Sequence, residues 1–296
     1  MVKHFSGYLC VDEVHDGPYC IFYAVDALLQ KRIAFQISDS AGKAEGLQFL
    51  RSLKGLKVRG ITTDGLTMYR HAVPEVFGAA RHQVGVFHVL KELNESVLRV
   101  LAVFRKSLPK PPSRRRGRPK PGEVRTADHP MTRLKGEVWT NRFAWVRKYP
   151  TRAQRRTIRR LGRRFPLLAA LREFEDLLYQ LFDRRCRKPT AQLKLQNLRR
   201  HRMFHRFPQL DQIRRELASP NLGKALEFLE DPNLAATNNA VERENRRHRK
   251  RQKTIYRART RETIAARIRF SMVHDLRPVP LNPAKDQQIQ HKRRAG

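Results

Sequence analysis

The segment Val-Arg-Gly-Ile-Thr-Thr-Asp-Gly, residues 58–65, decides the fold of this chain. It is a short apolar run that ends at Asp64 and a glycine, which is the pattern of a strand that stops at a turn. The preceding stretch, from Ser40 as a helix cap to Leu53, has a helical pattern. Because a helix carries the chain back to the start of the same sheet, residues 58–63 are predicted to form a strand parallel to its neighbour.

Three further strands are predicted upstream, at Tyr8–Val14, Tyr19–Asp26 and Lys31–Ser38, because these runs are rich in β-branched and aromatic residues. Their short links indicate an antiparallel meander. Downstream, a short helix around residues 69–77 and a fifth strand at Gln83–His88 complete the order β-β-β-α-β-α-β. This is the order of a ribonuclease-H-like α/β fold, a mixed five-stranded sheet in which the first and fourth strands lie side by side and parallel.

Acidic side chains at the ends of these strands are the candidate catalytic residues. Asp12 lies on the first strand, and Asp64 ends the fourth, so both are expected near one end of the sheet. Glu242 follows Thr-Asn-Asn at residues 237–239 and opens a basic helix. The chain has only 27 Asp+Glu against 63 Lys+Arg, so acids in these positions need an explanation. Holding divalent metal ions against a phosphodiester is the explanation favoured here.

Each acid also has a structural alternative. Asp12 and Asp64 are equally typical of turn residues at strand ends. Glu242 is placed to pair with an arginine four residues further along its helix. Glu13 and Glu244 are competing carboxylates, although Glu13 is expected to point to the opposite face of its strand.

Composition favours a nucleic-acid partner. The 296 residues carry a formal net charge of +36, which a polyanion such as double-stranded DNA would neutralise. The sequence contains no apolar run of about 18 residues and no lipidation motif, so nothing in it indicates a membrane partner. The three cysteines are scattered, which argues against a disulfide framework or a structural zinc site.

The charge is unevenly distributed and indicates the domain organisation. Residues 1–95 hold 11 Lys+Arg against 10 Asp+Glu, so nearly all of the net charge follows them. We predict that 1–95 form the first part of a catalytic core and that 96–230 form a large, basic, all-helical insertion with a flexible loop at 108–130. Residues 231–277 would complete the core, and 278–296 would be a flexible basic tail.

Two basic segments are predicted to bind DNA. Residues 114–120, Arg-Arg-Arg-Gly-Arg-Pro-Lys, resemble an AT-hook that lies in a narrow minor groove, with a flexible basic linker as the alternative. Residues 241–270 hold twelve Lys+Arg and three Glu, which favours contact with backbone phosphates over a merely solvated face. The predicted DNA-binding residues are Arg114, Arg115, Arg116, Arg118, Lys120, Arg243, Arg246, Arg247, Arg249, Lys250, Arg251 and Lys253.

Three segments together make the chain resemble bacterial insertion-sequence transposases of the DDE type. They are Val-Asp-Glu at 11–13, Ile-Thr-Thr-Asp-Gly at 61–65 with its continuation to residue 88, and Thr-Asn-Asn-Ala-Val-Glu-Arg at 237–243. The resemblance implies a ribonuclease-H-like core that uses two Mg²⁺ ions, with Mn²⁺ as a substitute. Asp12 would bridge both ions, and Asp64 and Glu242 would each complete one. Water would cut the element ends, and the freed 3′-hydroxyl would attack target DNA.

The resemblance further implies double-stranded DNA partners, namely element ends and target, a homo-oligomer on that DNA, and a bacterial cytoplasmic, nucleoid-associated location. His88, Asn238 and Asn239 would lie beside the site. Alternatives are a core or strand-end role for His88 and helix capping for the asparagines. Related families often have cysteine where this chain has Gly85, which weakens the case for His88.

Two other functions are compatible with these features, and the roles of two tryptophans have more than one interpretation. Family members usually carry an N-terminal DNA-binding region before the first strand, so a truncated or split copy is expected. The rivals are a catalytically silent DNA-binding remnant and a ribonuclease-H-like nuclease without strand transfer. Trp139 and Trp145 in the insertion are interpreted as core residues, with stacking on an extruded base as the alternative.

Overall fold

A five-stranded mixed sheet forms the centre of the molecule. The computed structural model describes residues 4–110, 129–254 and 257–275. The order across the sheet is β3-β2-β1-β4-β5, with β1 antiparallel to β2 and parallel to β4. The predicted α/β fold is therefore confirmed. The strands are β1 (Tyr8–Asp16), β2 (Tyr19–Asp26), β3 (Arg32–Ser38), β4 (Gly60–Thr63) and β5 (Arg81–Val84).

Helices cover both faces of the sheet and form a separate helical layer beyond it. In chain order they are α1 (Lys43–Ser52), α2 (Thr67–Phe77), α3 (Val86–Ser107), α4 (Pro130–Thr140), α5 (Arg142–Trp145), α6 (Arg152–Arg164), α7 (Pro166–Leu181), α8 (Lys188–Arg199), α9 (Met203–Arg206), α10 (Asp211–Leu217), α11 (Pro220–Lys224), α12 (Asn239–Gln252) and α13 (Arg261–Asp275).

The side chains of β1 contribute alternately to two hydrophobic cores, because successive side chains of a strand point to opposite faces of the sheet. Leu9 and Val11 pack in a cluster with residues of α1 and α2. Tyr8 and Cys10 pack on the other face with residues of α12 and α13, such as Val241. Cys10, like the other two cysteines, is a free thiol, as expected.

A third core holds the predicted helical insertion together. Helix α3 leaves the sheet and runs into this layer, where its apolar side packs with residues of α4 to α11. Trp145 and Phe174 lie at its centre and are fully buried. The large all-helical insertion is thus present, and its exact boundaries stay a prediction.

Several element boundaries differ from the expectations: β1 runs on to Asp16 rather than ending at Val14, and β4 begins at Gly60 rather than at Val58. The fifth strand ends at Val84, and α3 begins at Val86, so placing His88 at a strand end was wrong. The strand stops there because the backbone N–H of Gly85 bonds the Thr63 carbonyl (2.8 Å) and the next N–H turns away to bond the Ala236 carbonyl (2.8 Å).

The expected Ser40 cap is also absent from α1. That helix begins at Lys43, and no side chain hydrogen-bonds its N-terminus at Gly42. The Ser40 hydroxyl instead accepts a hydrogen bond from the backbone N–H of Gly42 at 3.3 Å, just before the helix.

The AT-hook-like residues 114–120 and the basic tail 278–296 lie outside the described residues. Within the described ranges, no helix is long and apolar enough to span a bilayer.

Candidate active site

Parallel pairing of β1 with β4 brings Asp12 and Asp64 together. The ladder pairs Leu9 with Ile61 and Cys10 with Thr62, and the same offset places Asp12 beside Asp64. Strand β4 ends at Thr63, whereas β1 continues to Asp16. The two carboxylates therefore lie where β1 has lost its parallel neighbour and one edge of the strand is open.

Glu13 joins these two acids. The carboxylates of Asp12, Glu13 and Asp64 each offer one oxygen, and these oxygens lie within 4.8 Å of one another. Glu13 does leave β1 on the face opposite Asp12, since its Oε2 accepts a hydrogen bond from the Tyr69 hydroxyl of α2 at 2.9 Å. Its carboxylate nevertheless reaches around the open edge to the other two.

The three carboxyl groups of the acidic cluster all have raised pKa values, so their surroundings disfavour three negative charges at once. Burial, together with the neighbouring Glu13 and Asp64 carboxylates, raises the pKa of Asp12 to about 8. Burial and the Glu13 carboxylate likewise raise the pKa of Asp64 to about 7. Burial also raises the pKa of Glu13 itself. Such a group of oxygens is suited to a divalent cation, which would replace the protons.

The Ala-Ala-Thr-Asn segment before α12 is fastened to the end of β4. The Thr62 hydroxyl donates to the Ala235 carbonyl at 2.8 Å. With its amide oriented so that both atoms are satisfied, Asn238 donates to the Thr62 carbonyl (3.0 Å) and accepts from the backbone N–H of Asp64 (2.9 Å). Asn238 precedes α12 but makes no side-chain cap bond. It therefore ties the start of α12 to the backbone that carries Asp64.

Glu242 lies in the first turn of α12, beside the cluster rather than in it. Its Oε1 is 3.7 Å from Nε2 of His88, and about a third of its side chain (36%) is exposed. Burial lowers the pKa of His88, and the Glu242 carboxylate partly opposes that effect. The charge of Glu242 also contributes to the raised pKa of Asp12, so the two groups are close enough to interact.

The competing acid, Glu244, is a structural residue. It is buried, with Arg32 at 3.4 Å and Arg247 at 2.6 Å from its carboxylate oxygens. Arg32 lies on β3, so the pair joins α12 to the far side of the sheet. Asn239, predicted beside the site, has an exposed side chain at the start of α12.

Asn245 contacts the site but was not predicted from the sequence. Its Nδ2 donates to Oδ2 of Asp12 (2.9 Å) and to the backbone carbonyl of Glu13 (3.3 Å). Its Oδ1 is buried without a hydrogen-bond partner. The available signal was its spacing, because Asn245 lies three residues after Glu242 and hence on a neighbouring part of the same helix face.

The comparison with protein families decides the class of this chain. The family model of the ISL3-type DDE transposases matches residues 9–268 of the chain. The chain belongs to this family. It is therefore a DNA transposase, an enzyme that cleaves and transfers DNA strands, as the sequence predicted. A search of curated proteins found no match. DDE transposases use divalent metal ions, and the hard carboxylate oxygens at the end of β1 and β4 fit such ions.

The transposase carries two strongly basic helices. On α12 the predicted DNA-binding side chains are exposed, as are those just after its end. Helix α6 was not singled out from the sequence, although it contains no acid and repeats arginine every three or four residues. It buries Ile158 and Leu161 and exposes its arginines. These are Arg152, Arg155, Arg156, Arg159, Arg160, Arg163 and Arg164.

The two tryptophans of this transposase have different environments. Trp145 is fully buried in the insertion, which confirms its interpretation as a core residue. Trp139 is 40% exposed, and the guanidinium of Arg142 lies 4.4 Å from its ring centroid. The same guanidinium lies 4.3 Å from the ring of Phe143, which is also exposed. The interpretation of Trp139 as a buried core residue was therefore wrong, and base stacking, the alternative, stays untested.

Proposed function

We propose that Asp12, Asp64 and Glu242 are the catalytic carboxylates of this transposase and that they hold two Mg²⁺ ions against the DNA backbone. The pairing of β1 with β4 supports this proposal most directly, because it brings the first two acids of the motif to one open strand end. Glu242 enters from α12, which the Asn238 amide fastens to the same end of the sheet. In the presence of substrate, Glu242 would turn from His88 toward the phosphodiester.

The carboxylates divide the work by position. Asp12 is half-buried, and Asn245 fixes one of its oxygens, so it suits a bridging ligand. Asp64 and Glu242 would each complete one ion. When bound, the ions lower the pKa of the attacking water and stabilise charge on the attacking and leaving oxygens. Nearby His88, whose buried Nε2 has no hydrogen-bond partner, would hold Glu242 at 3.7 Å only until the substrate arrives.

We further propose that α12 and α6 hold the DNA. Seven arginines on α6 and the basic residues of α12 present cationic surfaces that a phosphate backbone neutralises. The substrates would be double-stranded element ends and a double-stranded target, and a homo-oligomer would pair the ends. Phosphate contacts of this kind position the duplex and leave sequence choice to other residues.

Plasmid nicking tests the catalytic assignment. Supercoiled plasmid is incubated with the protein and Mg²⁺ or Mn²⁺, and the wild type is compared with Asp64→Asn and Glu242→Gln. Loss of nicking in both variants, with DNA binding retained, is expected. Equal nicking by all three proteins would contradict the assignment. Binding without nicking by the wild type would instead favour a catalytically silent remnant.

Strand transfer is tested separately, because a nuclease with the same core would pass the nicking assay. The wild type receives a pre-cut end with a free 3′-hydroxyl and a target plasmid, and the joined product is measured. Joined product that depends on Glu242 supports transposition. Nicking without any joined product would favour the nuclease.

A further inference from the structure

The acidic cluster at the open edge of β1 includes an acid that the three-carboxylate motif does not contain. Glu13 contributes an oxygen within 4.8 Å of those of Asp12 and Asp64. Glu242, the third acid of the motif, lies outside this group. The carboxylates that are already assembled are therefore Asp12, Asp64 and Glu13.

Strand geometry explains how adjacent residues reach the same point. Asp12 and Glu13 leave β1 on opposite faces. In the middle of a sheet they would be separated by the neighbouring strand. Because β4 ends at Thr63, β1 has no parallel partner beyond this point, and side chains from both faces can meet at its edge. The early end of β4 is what allows Glu13 to join.

Glu13 is held in this position by a buried group. The Tyr69 hydroxyl donates to its Oε2 at 2.9 Å, and the Tyr69 side chain is fully buried between α2 and the sheet. A neutral donor fixes the carboxylate without neutralising it, and it engages only one of its two oxygens. This hydrogen bond from a buried tyrosine distinguishes Glu13 from an acidic side chain that is merely solvated at a strand edge.

An independent feature on the opposite face also points to a cation. Asn245 is 2% exposed and bonds Asp12 through Nδ2, while its Oδ1 has no partner. A buried acceptor without a donor is costly. The water shell that a divalent ion usually retains would supply one. Asn245 and Tyr69 thus support the cluster from the two faces of the sheet.

We propose that Glu13 is a fourth metal-binding carboxylate of this transposase and that Tyr69 is its positioning residue. The inference rests on the proposed function, since it concerns the same metal site. Glu13 would hold the first divalent ion with Asp12 and Asp64 before DNA arrives. Glu242 would then act only once the substrate is in place. The site would therefore bind metal without DNA and without Glu242.

Metal binding measured without catalysis tests the proposal. Free Mn²⁺ is titrated against the full chain and followed by its electron paramagnetic resonance signal. Glu13→Gln is expected to weaken Mn²⁺ binding by about tenfold or more, and Tyr69→Phe by a smaller factor. Glu92→Gln is the matched control, because its charge also acts on Asp64 although its carboxylate lies outside the cluster. It should change binding by less than about threefold. Glu242→Gln should likewise bind Mn²⁺ nearly as well as the wild type.

The outcomes separate this inference from the proposed function. Wild-type affinity in Glu13→Gln, with weak binding in Asp64→Asn, would overturn the role of Glu13 and leave the catalytic assignment standing. Equal binding by the wild type and Asp64→Asn would overturn the metal site itself. If Glu13→Gln does not fold, Glu13→Asp keeps the charge and shortens the side chain. Wild-type affinity in that variant would also overturn the proposal.

Discussion

Glu242 and Glu244 show how much two residues on one helix can differ. Both are acids in the basic helix α12, and sequence alone left both as candidates. Glu244 turns inward and is buried against Arg32, whereas Glu242 is partly exposed at the edge of the acidic cluster. Loss of one partner of a buried ion pair leaves the other charge uncompensated, while loss of an exposed carboxylate does not.

Amide substitution of each acid should therefore separate stability from activity. Glu244→Gln is expected to lower the free energy of unfolding by about 3–5 kcal/mol, because it breaks the buried ion pair with Arg32. Glu242→Gln should change it by less than about 0.5 kcal/mol and abolish nicking. Chemical denaturation and plasmid nicking measure the two effects. A stable, inactive Glu244→Gln protein would reverse the assignment.

Asn245 gives a second prediction at the residue scale. Asn245→Ala removes the hydrogen bond that orients Asp12, so nicking is expected to fall by about 10–100-fold while DNA affinity stays unchanged. The assay is the same nicking reaction across a range of Mg²⁺ concentrations. Asn197→Ala, an exposed asparagine on α8, serves as the control. Similar nicking by both variants would show that Asp12 needs no such support.

At the scale of elements, the sequence predicted the sheet well because its strands are strongly patterned. The parallel direction of β4 followed from one helix between two apolar runs, and its pairing with β1 followed from the ribonuclease-H-like order of the elements. The end of β5 was missed because it depends on Ala236, which is distant in sequence and accepts the N–H of Val86. Asn245 was missed as a contact of Asp12, because that contact depends on how α12 docks. Glu13 was named from the sequence as a competing acid, but its approach to Asp12 and Asp64 was not foreseen, because it depends on where β4 stops.

Helix α7 contains a buried acid that should control the pH dependence of stability. Burial raises the pKa of Glu175 to about 8 from its ordinary value of 4.5. The folded chain therefore keeps a proton that the unfolded chain releases as the pH rises from about 4.5 to 8. This contribution to stability is complete below that window and falls within it by about 1.4 kcal/mol per pH unit.

Glu175→Gln should flatten this dependence. The difference in melting temperature between the variant and the wild type is expected to grow in favour of the variant from pH 5 to pH 8. The comparison matters because Asp12 and Asp64 titrate in the same direction in both proteins. A constant difference across this pH range would show that Glu175 is charged in the folded state.

Helix α4 carries the exposed tryptophan, and the chain has only two tryptophans in total. In Trp145→Phe, the fluorescence comes from Trp139 alone. If Trp139 stacks on an unpaired base, single-stranded oligonucleotide should quench this emission more strongly than duplex DNA of the same length. Trp139→Phe, which keeps the buried Trp145, is the control and should show little quenching. Equal quenching of the two variants would rule out stacking by Trp139.

At the scale of the whole molecule, the acidic cluster and the excess of cationic side chains lie in different parts of the chain. The N-terminal part of the core is nearly neutral and carries two of the three proposed catalytic acids, whereas the insertion and the last part of the core carry the excess cations. A cationic surface beside a carboxylate cluster brings phosphates to groups that would otherwise repel them. Removal of cations from α6 should therefore weaken DNA binding, while removal from the N-terminal part should not.

Salt dependence measures this division directly, because each phosphate contact releases counterions. Replacement of Arg155, Arg156 and Arg159 on α6 by glutamine should reduce the slope of log K against log salt by about 2–3, since each lost contact contributes about 0.9. The control removes the same charge at the exposed residues Arg51, Lys54 and Lys57, which lie in and just after α1. Its slope should stay near that of the wild type. Equal losses in both triple variants would mean that DNA responds to net charge alone, and α6 would then have no particular place in the complex.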